Sequence, residues 1–326
     1  MRNILLAIVF FLASTVVFGQ KFPKIDEAVR MNQLKPKDGK VRMILDTDTY
    51  NEIDDQFALA YALLSEDRVS VEAVYAAPFF NSRSSDPGDG MEKSYEEILR
   101  LLRMLKKPAD GFVFRGSTEY LKDVSKPVDS EAVRDLIQKA KKSSPEDPLY
   151  VVAVGCITNV ASAILMEPEI IKNIIVVWLG GNSLDWPTQR EFNLAQDVLA
   201  GQVVLNSGVP LVITPCMQVV SHFHTTLPEL KYYLEGKNEL CDFLYKTVEG
   251  YNDKKLEAWS KEVWDVVAVA WIVNPSWVHT ELVHSPILTD QVTYSVDRSR
   301  HFIRMARFLN RDAIFRDLFS KLSKNH

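Results

Sequence analysis

The chain has 326 residues, of which 47% are hydrophobic and 25% are charged, which is the composition of a globular protein. This length suits one large domain or two small ones. The formal net charge of −5 and the lack of lysine- and arginine-rich runs interleaved with aromatic residues argue against a nucleic-acid partner. The cysteines, Cys156, Cys216 and Cys241, lack the spacing of metal ligands, so we expect small buried residues, with a single disulfide as the alternative.

The N-terminus has the pattern of a secretory signal peptide. The first residues, MRNILLAIVFFLASTVVFGQ, contain Arg2, then an apolar core, then small and polar residues. A membrane anchor is the alternative, but the apolar run at residues 4–12 is short of the roughly 20 residues that a spanning helix needs. We therefore predict a signal peptide at residues 1–19 and export to the periplasm or the medium. The mature chain, residues 20–326, is expected to form a single domain without a membrane segment.

The rest of the chain alternates between predicted strands and predicted helices. A strand over residues 41–46 leads into a helix that ends near residue 64. Further strands are predicted at 69–76, 112–114, 149–154, 174–179 and 211–214, and helices at 91–107, 132–140, 159–166 and 195–205. This alternation indicates an α/β fold with an open, mainly parallel sheet flanked by helices and a Rossmann-like core. Beyond Thr225 the pattern is helical, at 227–234, 240–251, 263–273 and 312–322, with one strand at 292–296.

Four aspartates follow the first strand closely. Asp46, Asp48, Asp54 and Asp55 lie within ten residues, just before the apolar part of the first helix. Carboxylates gathered at the end of a buried strand repel one another unless a proton or a metal compensates their charge. Hard cations such as Ca²⁺ and Mg²⁺ take carboxylate oxygens as ligands. In parallel sheets, ligands bind outside the carboxyl ends of the strands, which is where these acids are expected to lie.

The acidic segment resembles the opening motif of the inosine–uridine-preferring nucleoside hydrolase family. DTDTYNEIDDQFALAYAL is similar to D-x-D-x₃-D-D-A-x-A-L, with two extra residues between the acid pairs. Three segments that resemble later family motifs follow in the same order: VAVGCITNVASAILMEPEI, then WLGGN with REFNLAQDVLAGQVVL, then WDVVAVAWIVNP. The resemblance covers most of residues 41–276. It implies the nucleoside hydrolase fold and hydrolysis of the N-glycosidic bond of a ribonucleoside. The expected partner is therefore a small molecule, with a homo-oligomer as a possible assembly of the chain.

The resemblance also implies a calcium site. Its ligands would be Asp48, Asp55, the backbone carbonyl of Val154, and Asp265. Ca²⁺ is bound by oxygen ligands of this kind, and a bound metal lowers the pKa of its water. Asp48 is the residue expected to take the proton of that water. The alternative for Asp265 is a helix cap, which is compatible with a ligand role.

Four residues are similar to the family's ribose ligands: Asp54, Asn81, Glu191 and Asn193. Each of the first three also has a simpler interpretation. Asp54 could be an acid that faces the dipole of a helix N-terminus. Asn81 could form a loop turn, and Glu191 could be an ordinary exposed residue at a helix start.

Trp264 bears on the leaving base. Many family members have a histidine at this position, whereas purine-preferring members have a tryptophan, as this chain does. The resemblance therefore favours a purine base slightly. The alternative is a tryptophan buried in the core for its apolar area. Trp186 and Tyr120 are weaker candidates for a second stacking partner.

Two other functions fit the opening motif. DTDT after an apolar strand also resembles the nucleophile loop of haloacid-dehalogenase-type phosphatases, with Asp46 as nucleophile and Asp48 as acid and base. An exported protein that binds nucleosides or sugars without catalysis is the second alternative. The insertion at residues 49–53 is where a departure from the family is expected first.

Overall fold

The computed structural model describes residues 22–252, 254 and 256–324. The predicted signal peptide lies outside these residues. Within them, no helix is both long enough and apolar enough to cross a membrane.

Twelve strands and eleven α-helices make up the described fold. The strands are β1 (Val41–Thr47), β2 (Val69–Ala76), β3 (Val113–Arg115), β4 (Leu149–Ala153), β5 (Ile174–Leu179), β6 (Leu211–Thr214), β7 (His224–Thr226), β8 (Ser260–Glu262), β9 (Val278–His284), β10 (Ile287–Leu288), β11 (Tyr294–Ser295) and β12 (Phe302–Leu309). The helices are α1 (Glu27–Gln33), α2 (Asp54–Leu64), α3 (Pro87–Met104), α4 (Glu131–Lys141), α5 (Thr158–Met166), α6 (Phe192–Gln196), α7 (Val198–Ser207), α8 (Leu227–Leu234), α9 (Glu239–Tyr251), α10 (Val266–Val273) and α11 (Arg311–Lys324).

Eight of the strands form one sheet in the order β3-β2-β1-β4-β5-β6-β12-β9. All neighbours in it are parallel except β12 and β9, which are antiparallel. Side chains alternate between the two faces of a strand, so Met43 and Leu45 of β1 enter one core cluster and Ile44 enters the other. Helices cover both faces, as they do in doubly wound α/β folds. The predicted fold class is therefore confirmed.

The strand order reverses between β1 and β4, which are neighbours although β2 and β3 come between them in the chain. A crevice opens at such a switch point, and open α/β sheets bind their ligands there. Asp46, near the end of β1, is in register with Ala153, the last residue of β4. The acidic segment therefore begins at the edge of this crevice.

The predictions for the C-terminal part were incomplete. It is not only helical, because β9 and β12 add two strands to the main sheet. Strand β12 was missed because Arg304 and Arg307 interrupt its apolar residues. The strand predicted at 292–296 is the two-residue β11, which pairs with β10 outside the main sheet. The single helix predicted at 195–205 is in fact α6 and α7, and Asp197 between them caps α7.

The packing at the end of β3 gives a stability prediction. A Cβ atom at Gly116 would overlap with the backbone oxygen of Ala76 and the side chain of Asn159. We expect Gly116→Ala to lower the free energy of unfolding by about 1–3 kcal/mol, as overpacking does, measured by urea denaturation. Gly250→Ala is the matched control, because the same atom there meets nothing within 4 Å. Equal stabilities of the two variants would contradict this account.

Candidate active site

The site is built around the turn that joins β1 to α2. Asp48 follows β1, residues 49–53 form the turn, and α2 begins at Asp54. Asp54 and Asp55 occupy the first turn of this helix, where the partial positive charge of the helix dipole favours carboxylates. The sequence thus places two acids at a helix N-terminus and one at the neighbouring strand end.

Three of the aspartates form a compact cluster. Carboxylate oxygens of Asp54, Asp55 and Asp265 lie within 4.8 Å of one another, and all three residues are buried. Asp265 comes from the opposite end of the chain, immediately before α10, and makes no capping hydrogen bond to that helix. Asp265 therefore occupies the N-cap position of α10 without a capping hydrogen bond from its side chain, and its carboxylate lies in the cluster instead.

Burial dominates the electrostatics of this cluster. It raises the pKa of Asp54 and Asp265 well above the usual range, and neighbouring carboxylates raise both further. Burial also raises the pKa of Asp55 to about 6, less strongly because Asp55 accepts a hydrogen bond from the hydroxyl of Thr47. The positive charge of Lys261 lowers the pKa of Asp54 and so offsets part of this effect. These acids thus lie where a further positive charge would be strongly stabilised.

Asp48 lies beside the cluster. Burial, then the charge of Asp55, raises the pKa of Asp48 well above its usual range. One oxygen, Oδ1, accepts a long hydrogen bond of 3.5 Å from the amide of Asn51. The other, Oδ2, is buried and has no hydrogen-bond partner among the described residues.

Asp46 has a supporting position. Its Oδ1 accepts a 2.8 Å hydrogen bond from the side-chain amide of Asn159, whose own oxygen accepts one of 2.7 Å from the backbone N–H of Ser117. Burial raises the pKa of Asp46 to about 7. Its side chain is fully buried and does not line the cavity described next. This placement argues against Asp46 as the nucleophile of a phosphatase.

A cavity of about 410 Å³ opens above the cluster. Eight of the candidate site residues from the sequence line it: Asp54, Asp55, Val154, Trp186, Glu191, Asn193, Trp264 and Asp265. Asp48 and Asn81 do not. The volume is within the range of small-molecule sites.

Glu191 and Asn193 are fixed by the start of α6. Glu191 caps that helix, accepting hydrogen bonds from the backbone N–H groups of Asn193 at 2.8 Å and Leu194 at 3.1 Å. Glu191 is therefore not an ordinary exposed residue. The amide of Asn193 donates hydrogen bonds of 3.1 Å to the carbonyl oxygens of Val154 and Leu179. This contact ties α6 to the ends of β4 and β5.

Asn81 reaches the cavity only through a neighbour. Its side-chain oxygen accepts a 2.8 Å hydrogen bond from the backbone N–H of Arg83, which is the turn geometry considered in the sequence. Its amide donates a 2.7 Å hydrogen bond to Asn51, and Asn51 lines the cavity. Asn81 thus orients Asn51 in this structure.

Sequence reasoning missed several lining residues. Asn51 and Glu52 come from the insertion in the acidic motif, and most of the others follow β5 and β6. These are Asn182, Trp186, Thr188, Arg190, Phe192, Cys216 and Met217, of which only Trp186 was a weak candidate. Their position beyond the carboxyl ends of β5 and β6 is the signal that could have identified them.

The donor set fits a hard divalent cation. The cluster offers carboxylate oxygens only, Val154 lines the same cavity, and the buried carboxyl group of Asp48 lies against that of Asp55, with no described donor bonded to its Oδ2. Oxygen donors of this kind suit Ca²⁺ or Mg²⁺ and suit thiolate-seeking metals poorly. The cysteines are free and buried, with Cys216 at the cavity wall.

Comparison with known proteins identifies the family. The family model described as inosine-uridine preferring nucleoside hydrolase matches residues 43–313. The chain belongs to this family. The match continues well beyond residue 276, where the recognisable motifs ended, and includes β9 and β12.

Curated relatives and solved structures agree with this assignment. The chain is 27% identical over 263 residues to the pyrimidine-specific ribonucleoside hydrolase RihA of Salmonella paratyphi B, covering 72% of this chain and 79% of the relative. It is 30% identical over 147 residues to the non-specific ribonucleoside hydrolase RihC of Salmonella schwarzengrund, covering 44% and 45%. The fold is similar to that of the purine-preferring ribonucleoside hydrolase from Gardnerella vaginalis, with a TM-score of 0.71, 19% identity and coverage of 87% and 98%.

The family assignment gives the reaction class. This chain is an N-glycosyl hydrolase that acts on ribonucleosides. The phosphatase and the binding protein without catalysis are thereby set aside. The family is metal-dependent, and the aspartate cluster is a group of residues that could bind the metal.

Proposed function

We propose that this enzyme is a Ca²⁺-dependent nucleoside hydrolase that splits purine ribonucleosides in preference to pyrimidine ribonucleosides, releasing ribose and the free base. The observation that carries the proposal is the buried cluster of Asp54, Asp55 and Asp265, with oxygens within 4.8 Å of one another at the floor of a cavity of about 410 Å³. Buried carboxylates this close together need a proton or a cation to compensate their charge, and an open cavity above them gives a cation access.

In this proposal Asp48, Asp55, Asp265 and the carbonyl of Val154 hold the cation. A bound Ca²⁺ would neutralise the carboxylates and make a water molecule more acidic. The unpartnered Oδ2 of Asp48 supports its role as the general base that takes a proton from the attacking water. The position of Asp48 against Asp55 keeps that base next to the cluster.

The sugar is proposed to lie over the cluster, between α2 and α6. Asp54, Glu191 and Asn193 all line the cavity there and would hydrogen-bond to its hydroxyl groups, with Asn81 acting through Asn51. Glu191 and Asn193 are already immobilised by backbone hydrogen bonds. Groups held in place before the substrate binds can lower the activation free energy by several kcal/mol, because they orient the substrate.

The base is proposed to stack on aromatic side chains. Trp264 and Trp186 both line the cavity and both are only partly buried, so their rings are available to a planar ligand. Trp264 also packs against the core, and this contact fixes its ring. The larger π-surface of a purine gains more from such stacking than a pyrimidine does.

Removal of the metal or of one ligand gives the first functional test. We expect a chelator to abolish inosine hydrolysis and Ca²⁺ to restore it. Asp55→Asn, which keeps the shape but removes the charge, should weaken Ca²⁺ binding in calorimetry and lower kcat/KM at least about 100-fold. The control is Asp110→Asn at an exposed position. Full activity of the chelated enzyme, or restoration by Mg²⁺ but not by Ca²⁺, would contradict the calcium dependence.

Replacement of Trp264 tests the base preference. Base stacking on an aromatic ring contributes about 1–3 kcal/mol, so Trp264→Ala should lower kcat/KM for inosine roughly 10- to 100-fold and for uridine less. Trp277→Ala is the control, because Trp277 is also partly buried but lies outside the cavity. If the unmodified enzyme cleaves uridine faster than inosine, the purine preference is wrong.

We also propose that the enzyme is exported, on the basis of the signal-peptide pattern in residues 1–19. N-terminal sequencing of the protein purified from its native cells is expected to begin at Gln20. A mature protein that still carries Arg2 would contradict cleavage and export by this route.

A further inference from the structure

The turn that contains the insertion is held by three residues from two other parts of the protein, the loop after β2 and strand β8. The guanidinium of Arg83 lies 4.3 Å from the centre of the Tyr50 ring. Asn51 accepts the hydrogen bond from Asn81. Glu52 forms an ion pair with Lys261 of β8. The turn at residues 49–53 is therefore held on both sides.

The ion pair between Glu52 and Lys261 has a largely buried cation. The side chain of Lys261 is 10% exposed, and that of Glu52 is 31% exposed. Lys261 also donates a 3.2 Å hydrogen bond to the backbone oxygen of Glu262. Taking an ammonium group out of water costs several kcal/mol unless it is well paired. The pair is thus a built feature of this wall, unlike the exposed ion pairs on the surface.

Glu52 lies on the cavity side of this pair. It lines the cavity together with Asn51, Asp54 and Asp55, whereas Lys261 does not line it. Lys261 Nζ pairs with Oε1 of Glu52. Since a carboxylate has two oxygens and several lone pairs, the ion pair leaves acceptor capacity for a ligand.

We propose that Glu52 is an additional sugar-binding residue, supplied by the insertion, and that Lys261 is the positioning residue that fixes it. Glu52 accepts a hydrogen bond from one hydroxyl of the ribose that lies over the neighbouring Asp54. The inference rests on the proposed binding of ribose above the aspartate cluster. It makes the insertion a determinant of which sugars the enzyme accepts.

The carboxyl groups on this wall of the cavity affect which substrate groups can lie against it. Lys261 forms an ion pair with Glu52 and lowers the pKa of Asp54. Its charge is therefore already paired and is not available to a phosphate group. Glu52, Asp54 and Asp55 face the cavity with carboxyl groups. Arg190 is the cationic residue among those that line the cavity, and the wall formed by Glu52, Asp54 and Asp55 favours sugar hydroxyls over a phosphate group.

The test compares enzyme variants with substrate analogues. Inosine and its 2′-, 3′- and 5′-deoxy analogues are assayed with the unmodified enzyme, Glu52→Ala and Glu52→Gln. A hydrogen bond to a charged group predicts a loss of roughly 10- to 100-fold in kcat/KM for Glu52→Ala on inosine, with partial recovery in Glu52→Gln. For the one analogue that lacks the contacted hydroxyl, the loss should fall below about threefold, because the contact is already absent. Equal losses on all four substrates would overturn the proposal.

Lys261→Met tests the positioning role. It should raise KM for inosine more than it changes kcat, and in the Glu52→Ala background it should add less than about twofold, because both changes remove one interaction. Glu66→Ala and Lys107→Met are the controls, since this Lys–Glu pair lies away from the cavity. Independent effects of Lys261→Met and Glu52→Ala would overturn the role assigned to Lys261.

A binding measurement separates this inference from the proposed activity. Ribose is titrated calorimetrically into the Ca²⁺-saturated enzyme and its Glu52→Ala variant, which requires no turnover and no base. Weaker ribose binding by the variant supports the inference, and equal binding overturns it. An unmodified enzyme that binds ribose but does not cleave inosine would contradict the purine activity alone.

Discussion

The burial of several carboxylates side by side is the constraint on which the candidate active site depends. Asp48, Asp54, Asp55 and Asp265 are all buried, and burial raises the pKa of each. Such an arrangement persists only if the surrounding fold holds the acids in place. Here the N-terminus of α2, the Thr47 hydroxyl and Lys261 each offset part of the unfavourable charge. A cation bound at the cluster would relieve the remaining unfavourable charge.

The architecture brings these acids together from distant parts of the chain. The reversal of strand order between β1 and β4 opens the crevice, and the loops after β5 and β6 form its walls. Asn193 joins two of these strand ends, because its amide donates to the carbonyls of both Val154 and Leu179. Asp46 does not line the cavity, and its hydrogen bond with Asn159 joins β1 to α5. Residues that resemble catalytic groups in sequence therefore divide into those that face the cavity and those that support them.

The insertion of two residues changes the wall of the cavity next to Asp54. A longer turn could have been accommodated by pointing into solvent, but this one contributes Asn51 and Glu52 to the cavity. Lys261 lies more than two hundred residues later in the chain, and its burial beside Glu52 is what allows an additional acid to lie so close to Asp54. Insertion and compensating cation thus form one structural unit, and neither is expected to be tolerated easily without the other.

The sequence by itself determined the parallel α/β core, the family and about half of the residues that line the candidate site. These follow from local patterns, since apolar runs such as residues 174–179 specify buried strands and the four motifs lie in a fixed order. The tertiary structure alone decided that Asp54 lies in the cluster with Asp55 and Asp265, and that Asp48 lies beside this cluster and, like Asn81, does not line the cavity. It also revealed β12, whose arginines interrupt the apolar pattern of the strand. The pairing of Lys261 with Glu52 likewise leaves no pattern in the sequence, because the two residues are far apart in the chain. Contacts between distant segments depend on packing in three dimensions, and spacing along the chain does not encode them.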